Sequence, residues 1–253
     1  MHRFYLPPEQ CLDSTLVLEK REAHHALHVL RLRNGERVVV LDGAGHELNC
    51  EVRNADRNTL QLVVVERKST PPLPCQITLL QAIPKGKILE SIIQRATELG
   101  AARIVPILSE HVIKHLDDAD VERKTEKWQQ VAVESIKQSG APWLPRVETP
   151  MTPKQFIARQ ETFELPLIAS LLEKRRNLRE YLQEFHSRHG RLPASACVWI
   201  GPEGDFTPEE VQAIMNAGAL PITLGRLVLR VETAAMYCLS VLNHELESSQ
   251  AKS

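Results

Sequence analysis

The feature that most restricts the fold of this chain is a regular alternation of two patterns between residues 76 and 247. Apolar runs of strand length alternate with segments whose apolar residues recur at helical spacing. The predicted strands are 76–82, 103–108, 165–172, 197–200 and 221–224, and the predicted helices are 88–99, 121–138, 207–218 and 232–247. Such alternation is typical of an α/β domain with a mainly parallel sheet.

A proline cluster separates this region from what precedes it. Pro71, Pro72 and Pro74 exclude a helix and disfavour a central strand, so they indicate a linker. We therefore predict an N-terminal domain at 1–70 and a C-terminal domain at 75–253. In the first, a short helix at 22–30 precedes strands at 36–41, 47–52 and 59–65, a pattern that favours a small β-barrel.

Composition limits the classes of partner. The formal net charge is −1, so any affinity for nucleic acid must come from local clusters of basic residues. No uninterrupted apolar run reaches the roughly 18 residues of a membrane span, and the first residues lack the apolar core of a signal peptide. The five cysteines are scattered, form no C-x-x-C pair and indicate reduced side chains in a cytoplasmic protein.

Two glycine-containing loops follow predicted strands and are the strongest candidates for a ligand site. The first contains Gly201-Pro202-Glu203-Gly204, and the second contains Leu224-Gly225, with Arg226 and Arg230 on either side of apolar residues. Ligands of parallel sheets bind beyond the carboxyl ends of the strands, where glycine allows close approach to the backbone. Alone, the loops would be interpreted as a tight turn and a surface arginine pair; together they favour a site.

These same residues carry a specific resemblance. Gly201-Pro202-Glu203-Gly204 followed by Leu224-Gly225-x-x-x-Leu229-Arg230-x-Glu232-Thr233-Ala234 resembles the paired signatures of the RsmE-type methyltransferases of the SPOUT superfamily. The resemblance extends over nearly the whole chain. Its further matches are Lys85-Gly86-Lys87, Thr97-Glu98-Leu99-Gly100, Gln138-Ser139 and His25-x-x-x-Val29-Leu30-Arg31-Leu32-x-x-Gly35.

The resemblance implies a fold, a reaction and partners. The fold is an α/β SPOUT domain with a trefoil knot, plus a PUA-like β-barrel. The reaction is methyl transfer from S-adenosyl-L-methionine to N3 of one uridine in 16S rRNA of the small ribosomal subunit, by a homodimer. The alternative is a non-catalytic RNA-binding ribosome-assembly protein on the same fold.

The resemblance also assigns roles to residues. The expected cofactor-binding residues are Ile200, Gly201, Pro202, Glu203, Gly204, Leu224, Gly225, Leu229, Thr233 and Ala234. From the chemistry of methylation at N3, Arg230 is expected to stabilise charge on the uracil ring and Glu232 to remove the N3 proton. The alternative role of Glu232 is a negative charge at the N-terminus of the following helix. The chain departs from the family pattern at Asp205, where a second glycine is usual, and after Ser139, where the first arginine is Arg146.

An arginine cluster in the N-terminal domain is the candidate RNA-binding surface. Arg31, Arg33 and Arg37 flank the turn Asn34-Gly35, and Arg3 is a further member. A solvated turn is the alternative interpretation.

Other chemistries lack their motifs. The chain has neither the G-x-G-x-x-G of dinucleotide-binding folds nor a phosphate-binding P-loop. The histidines at 24, 25 and 28, and those at 111 and 115, lack the three or four convergent ligands of a metal site, so we expect no metal.

Overall fold

The structure is a computed structural model that describes residues 1–56, 58–112, 118–171 and 174–248. The chain divides into two compact units. The first comprises Met1–Pro72 and Val133–Leu144, and the second comprises Leu73–Ala132 and Pro145–Ser253. The sequence-based boundaries assign no part of the second half of the chain to the N-terminal domain.

The first unit is built on a mixed five-stranded half-barrel. Its strands are β1 (His2–Tyr5), β2 (Thr15–Leu18), β3 (Arg37–Leu41), β4 (His46–Ala55) and β5 (Leu60–Ser69), in the order β1-β3-β4-β5-β2. Only β1 and β3 pair in parallel. A short helix, α1 (Lys20–His24), continues into a π-helical turn at His25–Val29 and buries Ala23 and Ala26 against the apolar side of the sheet. The expected β-rich N-terminal domain is therefore confirmed.

The second unit contains a six-stranded sheet. Its strands are β6 (Gln76–Ala82), β7 (Arg103–Ile107), β8 (Arg146–Val147), β9 (Leu165–Ala169), β10 (Ser195–Ile200) and β11 (Leu220–Ile222), in the order β11-β9-β10-β6-β7-β8. Every pair of neighbours is parallel, which confirms the predicted sheet type. The carboxyl ends of β9, β10 and β11 consequently lie side by side.

Six further helices occur among the described residues from 73 onward. They are α2 (Ile88–Glu98), α3 (Asp118–Ser139), α4 (Pro153–Ile157), α5 (Leu178–His189), α6 (Pro208–Asn216) and α7 (Val231–Ser248). The last turns of α3 belong to the first unit. On one face, Leu80 and Trp199 form a core cluster with Phe156 of α4 and Ile214 of α6. Helices α2 and α7 pack together, and α7 also contacts β6 and β10. The predicted helices included neither α4 nor α5, and the predicted strands did not include β8. The trefoil knot implied by the resemblance stays a prediction.

Helix α6 begins where the sequence predicted, directly after the glycine-containing loop that follows β10. Thr207 Oγ1 accepts a hydrogen bond from the Glu210 N–H at 3.2 Å, and Glu210 Oε2 accepts one from the Thr207 N–H at 3.0 Å. This capping box, with Pro208 in the first helical position, fixes the point at which the loop ends.

All five cysteines are buried and unbridged. Burial raises the pKa of the Cys11 thiol to about 11, and those of Cys50, Cys75, Cys197 and Cys238 to about 12. Among the described residues, no helix has the length and apolar character needed to cross a membrane.

Candidate active site

A cleft of about 570 Å³ lies at the carboxyl ends of β9, β10 and β11. The loops after these three strands, together with the first residue of α2 and the start of α7, form its walls. Its lining residues are Ile88, Ala169, Ser170, Leu171, Arg175, Ile200, Gly201, Pro202, Glu203, Asp205, Leu224, Gly225, Arg226, Leu227, Val228, Leu229, Arg230, Val231, Glu232 and Ala234. The two predicted loops therefore contribute to one site.

The loop after β10 contains a tight turn at Asp205, which is stabilised by a hydrogen bond to the next residue. Asp205 has a φ of 61°, in the left-handed region that glycine favours, and its Oδ1 accepts a hydrogen bond from the Phe206 N–H at 2.8 Å. Asp adopts this region more readily than most residues. Asp205 thus takes a backbone conformation that suits glycine, and it is one of the residues that line the cleft.

Hydrogen bonds join this loop to those after β6 and β7. Glu203 Oε1 accepts a hydrogen bond from the Lys85 N–H at 3.1 Å, and His111 Nδ1 lies 2.9 Å from the Asp205 carbonyl oxygen. Buried Glu210 accepts a hydrogen bond from the Glu110 N–H at 3.0 Å. The sheet edge is therefore cross-linked by side-chain oxygens that satisfy loop N–H groups, which restricts loop motion.

The second loop is more open. Gly225 has a φ of 110°, which glycine tolerates, and Thr223 Oγ1 accepts a hydrogen bond from its N–H at 3.2 Å. Beyond it, Leu227 and Val228 are 78% and 77% exposed, so this apolar pair is not covered by other described residues.

Arg230 and Glu232 stand where this loop enters α7. The Arg230 carbonyl accepts a hydrogen bond from the Ala234 N–H at 2.8 Å, which makes Arg230 the residue that precedes the helix. Its guanidinium is exposed, lines the cleft and makes no ion pair with any described residue. Glu232 is half-buried in the first turn of α7 and also lines the cleft.

The structure brings most of the predicted site residues together, with two exceptions. Both catalytic candidates and eight of the ten cofactor candidates line the cleft; Gly204 and Thr233 do not. A Cβ at Gly204 would meet His111 at 3.5 Å. A further wall, formed by Ala169, Ser170, Leu171 and Arg175, was not predicted from the sequence, because it depends on β9 lying between β10 and β11.

In the first unit, the structure adds one residue to the arginine cluster. Arg31, Arg33 and Arg37 are exposed and have no ion-pair partner among the described residues. The Gly35 N–H donates to the Val52 carbonyl at 2.8 Å, which places the next residue, the exposed Arg53, beside the turn.

Arg3 lies elsewhere. Its guanidinium donates to the carbonyl oxygens of Lys137 and Gln138, at 3.4 and 3.1 Å, at the carboxyl end of α3. Cations are favourable at this position, so Arg3 has a structural role within the first unit.

The histidines show aromatic contacts. The His24 and His28 rings are 4.9 Å apart, and His25 packs edge-on against Phe4. Within the described ranges, no group of three or more potential ligands that could hold a metal ion is found. The histidine at position 115 falls outside those ranges.

Comparison with protein families gives two adjoining matches. Residues 71–243 match the family described as the RNA methyltransferase domain, and residues 18–65 match the RNA methyltransferase PUA domain. Among curated relatives, ribosomal RNA small subunit methyltransferase E of Synechocystis sp. is 34% identical, covering 98% of this chain and 78% of the relative. The Bacillus subtilis protein of the same name is 29% identical, covering 92% of this chain and 91% of that protein.

Solved structures agree with these matches. A Legionella pneumophila methyltransferase with bound SAM is 29% identical at a TM-score of 0.85, covering 96% of this chain and 97% of that one. Ribosomal RNA small subunit methyltransferase E of Neisseria gonorrhoeae, bound to S-adenosyl methionine, is 26% identical at a TM-score of 0.83, covering 97% and 98%. The resemblance found in the sequence is confirmed, and the chain belongs to the family of RNA methyltransferases that carry a PUA domain and include ribosomal RNA small subunit methyltransferase E.

Proposed function

We propose that this chain transfers a methyl group from S-adenosyl-L-methionine to N3 of one uridine in the 16S rRNA of the small ribosomal subunit. The observation that carries the proposal is the cleft in which both glycine-containing loops, Arg230 and Glu232 meet. It occurs in a chain that aligns over nearly its full length with small-subunit rRNA methyltransferases. Such a substrate would place the reaction in the cytoplasm.

The cleft fits the proposed cofactor. Its volume of about 570 Å³ suits a ligand of nucleoside size. At Gly201 an added Cβ would lie 2.6 Å from Asp205 Oδ1, so only glycine fits there without movement of the loop that lines the cleft. Backbone groups of the loop at 200–203 and of Leu224-Gly225 would hold the adenosine, with Leu229 and Ala234 as apolar contacts. When bound, the cofactor supplies an electrophilic methyl group on its sulfonium.

The target atom sets the demands on the protein. N3 of uracil is weakly acidic, is protonated at neutral pH and forms part of the Watson–Crick edge. The uridine must therefore be unpaired and turned into the cleft, and its N3 proton must be removed. Removal leaves negative charge on O2 and O4.

Two cleft residues suit these tasks. Arg230 makes no ion pair with any described residue, so its guanidinium is available to stabilise the charge on O2 or O4. Glu232 suits removal of the N3 proton because it is half-buried at the same wall. Its position in the first turn of α7 also stabilises the helix, so a structural role competes with the catalytic one.

We assign capture of the rRNA to the arginine cluster of the first unit, Arg31, Arg33 and Arg37, extended by Arg53. Four exposed guanidiniums without ion-pair partners among the described residues suit phosphate contacts.

We also propose that the protein is a homodimer, as the SPOUT resemblance implies. The apolar side of α7 is a poor candidate for the contact, because Ala234, Ala235, Cys238 and Leu242 are buried within the chain itself. The exposed Leu227, Val228 and Tyr237 are better candidates. Light scattering should return twice the chain mass of 28.6 kDa, and a monomer at micromolar concentration would overturn this proposal.

Methyl transfer from radiolabelled cofactor to small ribosomal subunits tests the main proposal. The subunits should come from a strain that lacks the endogenous activity, and digestion to nucleosides should recover the label as 3-methyluridine. Label in another nucleoside would refute the assigned position. Binding of rRNA with no transfer would favour the non-catalytic alternative.

A further inference from the structure

We propose that the loop Lys85-Gly86-Lys87, between β6 and α2, binds backbone phosphates of the RNA strand that flanks the target uridine. This inference deepens the proposed function and rests on it. It assigns to the second unit a phosphate-binding element of its own, at the rim of the methyl-transfer cleft.

The position of the loop is fixed by its neighbours. The Lys85 N–H donates to Glu203, a residue of the cleft wall, and Ile88, directly after the loop, lines the same cleft. Strands β6 and β10 are adjacent and parallel, with Gln81 opposite Ile200, so both loops leave the sheet at the same edge. The two lysines therefore border the cleft mouth.

The loop presents its charge to solvent. Lys85 and Lys87 are both exposed, and neither side chain has a hydrogen-bond or ion-pair partner among the described residues. Gly86 has a φ of 72°, and a Cβ added there would meet no described atom within 4 Å. The chain therefore turns outward between the two lysines.

The nearby carboxylates are already occupied. Glu90, in the first turn of α2, forms an ion pair with Lys127 at 2.6 Å, and Glu203 accepts the Lys85 N–H. Glu203 keeps its charge, since a backbone N–H is neutral, but neither carboxylate forms an ion pair with Lys85 or Lys87 among the described residues. The four cations Lys85, Lys87, Arg226 and Arg230 outnumber the carboxylates that line the cleft, Glu203, Asp205 and Glu232, which makes this rim attractive to an anion.

We expect the anion that binds at this rim to be a phosphate group of the RNA backbone. A uridine turned into the cleft leaves its flanking nucleotides outside, with their phosphates at the mouth. Lysine binds phosphate as a flexible point charge without base preference, which suits a contact that holds the strand without reading its sequence. The proposed cofactor carries no phosphate group, so it does not supply this anion. The residues assigned to the cofactor line the cleft, whereas the two lysines border its mouth.

The test compares Lys85→Ala/Lys87→Ala with wild type and with the matched control Lys124→Ala/Lys154→Ala, which removes one lysine from α3 and one from α4. Steady-state methylation of small subunits and binding of a short single-stranded RNA would be measured across a salt series. We expect kcat/KM for RNA to fall about ten-fold or more, and the log–log salt slope for the single-stranded RNA to flatten by up to about 1.4 in the loop variant alone, about 0.7 for each phosphate contact. Lys85→Arg/Lys87→Arg should retain most of the affinity.

Cofactor affinity, measured by calorimetry, separates the possible explanations. It should stay at the wild-type value in the loop variant. Weakened cofactor binding would mean that the lysines bind the cofactor carboxylate. An unchanged salt slope and an unchanged KM for RNA would mean that the RNA does not contact this loop. Either result would overturn the inference. If the wild-type protein itself transferred no methyl group to the subunits, the proposed function would fail instead.

Discussion

A Cβ atom at Gly201 would lie 2.6 Å from Oδ1 of Asp205, closer than real Cβ contacts come. The residue types at these two positions therefore depend on each other. The Asp205 carboxylate, at a position where glycine is usual in the family, occupies the space that a side chain at position 201 would need. The backbone of this loop is in turn a wall of the cleft.

We expect Gly201→Ala to weaken cofactor binding by about ten-fold or more, roughly 1.4 kcal/mol, because the loop must move to relieve the contact. Calorimetry would measure the affinity. Gly201→Ala/Asp205→Gly removes the carboxylate and should recover part of the loss. Full wild-type affinity in the single variant would mean that the loop backbone does not contact the cofactor.

Removing Arg230 should affect transfer more than binding. We expect Arg230→Ala to keep cofactor affinity within a few-fold but to lower kcat by about a hundred-fold or more, the scale on which loss of a charge-stabilising donor acts. Single-turnover methylation would measure the rate of the chemical step. Arg226→Ala, at the same cleft but without an assigned catalytic role, provides the comparison. A near-normal rate for Arg230→Ala would make that arginine structural.

The buried carboxylate of Glu210 should matter for stability. It accepts hydrogen bonds from the N–H groups of Thr207 and Glu110, so Glu210→Ala would leave both donors without their partner. We expect a loss of about 1–3 kcal/mol in the free energy of unfolding by urea. The exposed neighbour Glu209, replaced by Ala, should change it by less than about 0.5 kcal/mol. Equal effects of the two substitutions would contradict this role.

Acid should weaken an ion-pair network at the start of β7. Burial of Glu161 opposes its ionisation, but hydrogen bonds and attraction from Arg103, at 2.5 Å, and from Arg159 lower its pKa overall. A carboxyl with a lowered folded-state pKa contributes stability that is complete above its unfolded-state pKa and is lost as the pH falls through the folded-state pKa.

We therefore expect Glu161→Gln to lower stability at neutral pH and to flatten the decline in stability on the acid side of about pH 4.3, the ordinary glutamate value. Urea unfolding between neutral and acidic pH would show it, with the exposed Glu126→Gln as control. Parallel curves for Glu161→Gln and wild type would show that the pair contributes no pH-dependent stability.

Arg31→Ala/Arg33→Ala should weaken rRNA binding and flatten its salt dependence by up to about two, one for each phosphate contact removed. The cleft proposed to hold the cofactor lies in the other unit, so cofactor affinity should not change. Fluorescence anisotropy across a salt series would measure both the affinity and the slope. Arg188→Ala, on the exposed side of α5, controls for the loss of surface charge. An unaltered slope would move RNA capture away from the half-barrel.

Local patterns predicted the local structure well. The apolar run that became β6 has the predicted bounds, and the Thr207 capping box starts α6 at the predicted place. Both signals lie in a few neighbouring residues, so no knowledge of distant contacts was needed. The short helix α4 carried the same kind of signal in Thr152 and Gln155, whose capping box the sequence analysis overlooked.

The wall of the cleft after β9 could not be found in this way. Which residues form this wall depends on β9 lying between β10 and β11, and this strand order differs from the order along the chain. Strand order is decided by packing between distant segments, so periodicity within each strand carries no information about it. The two-residue strand β8 was missed because it is too short to show any period.

Because all five thiols are buried, the rate at which each is alkylated reports how often the structure around it opens. A thiol that is covered and whose pKa stands near 11 or 12 reacts with an alkylating reagent only after the structure around it opens. Cys11 and Cys50 report on the half-barrel, and Cys75, Cys197 and Cys238 report on the parallel sheet and α7. Mass spectrometry of the native protein during alkylation would therefore read the opening rate of each unit separately, without any label being introduced.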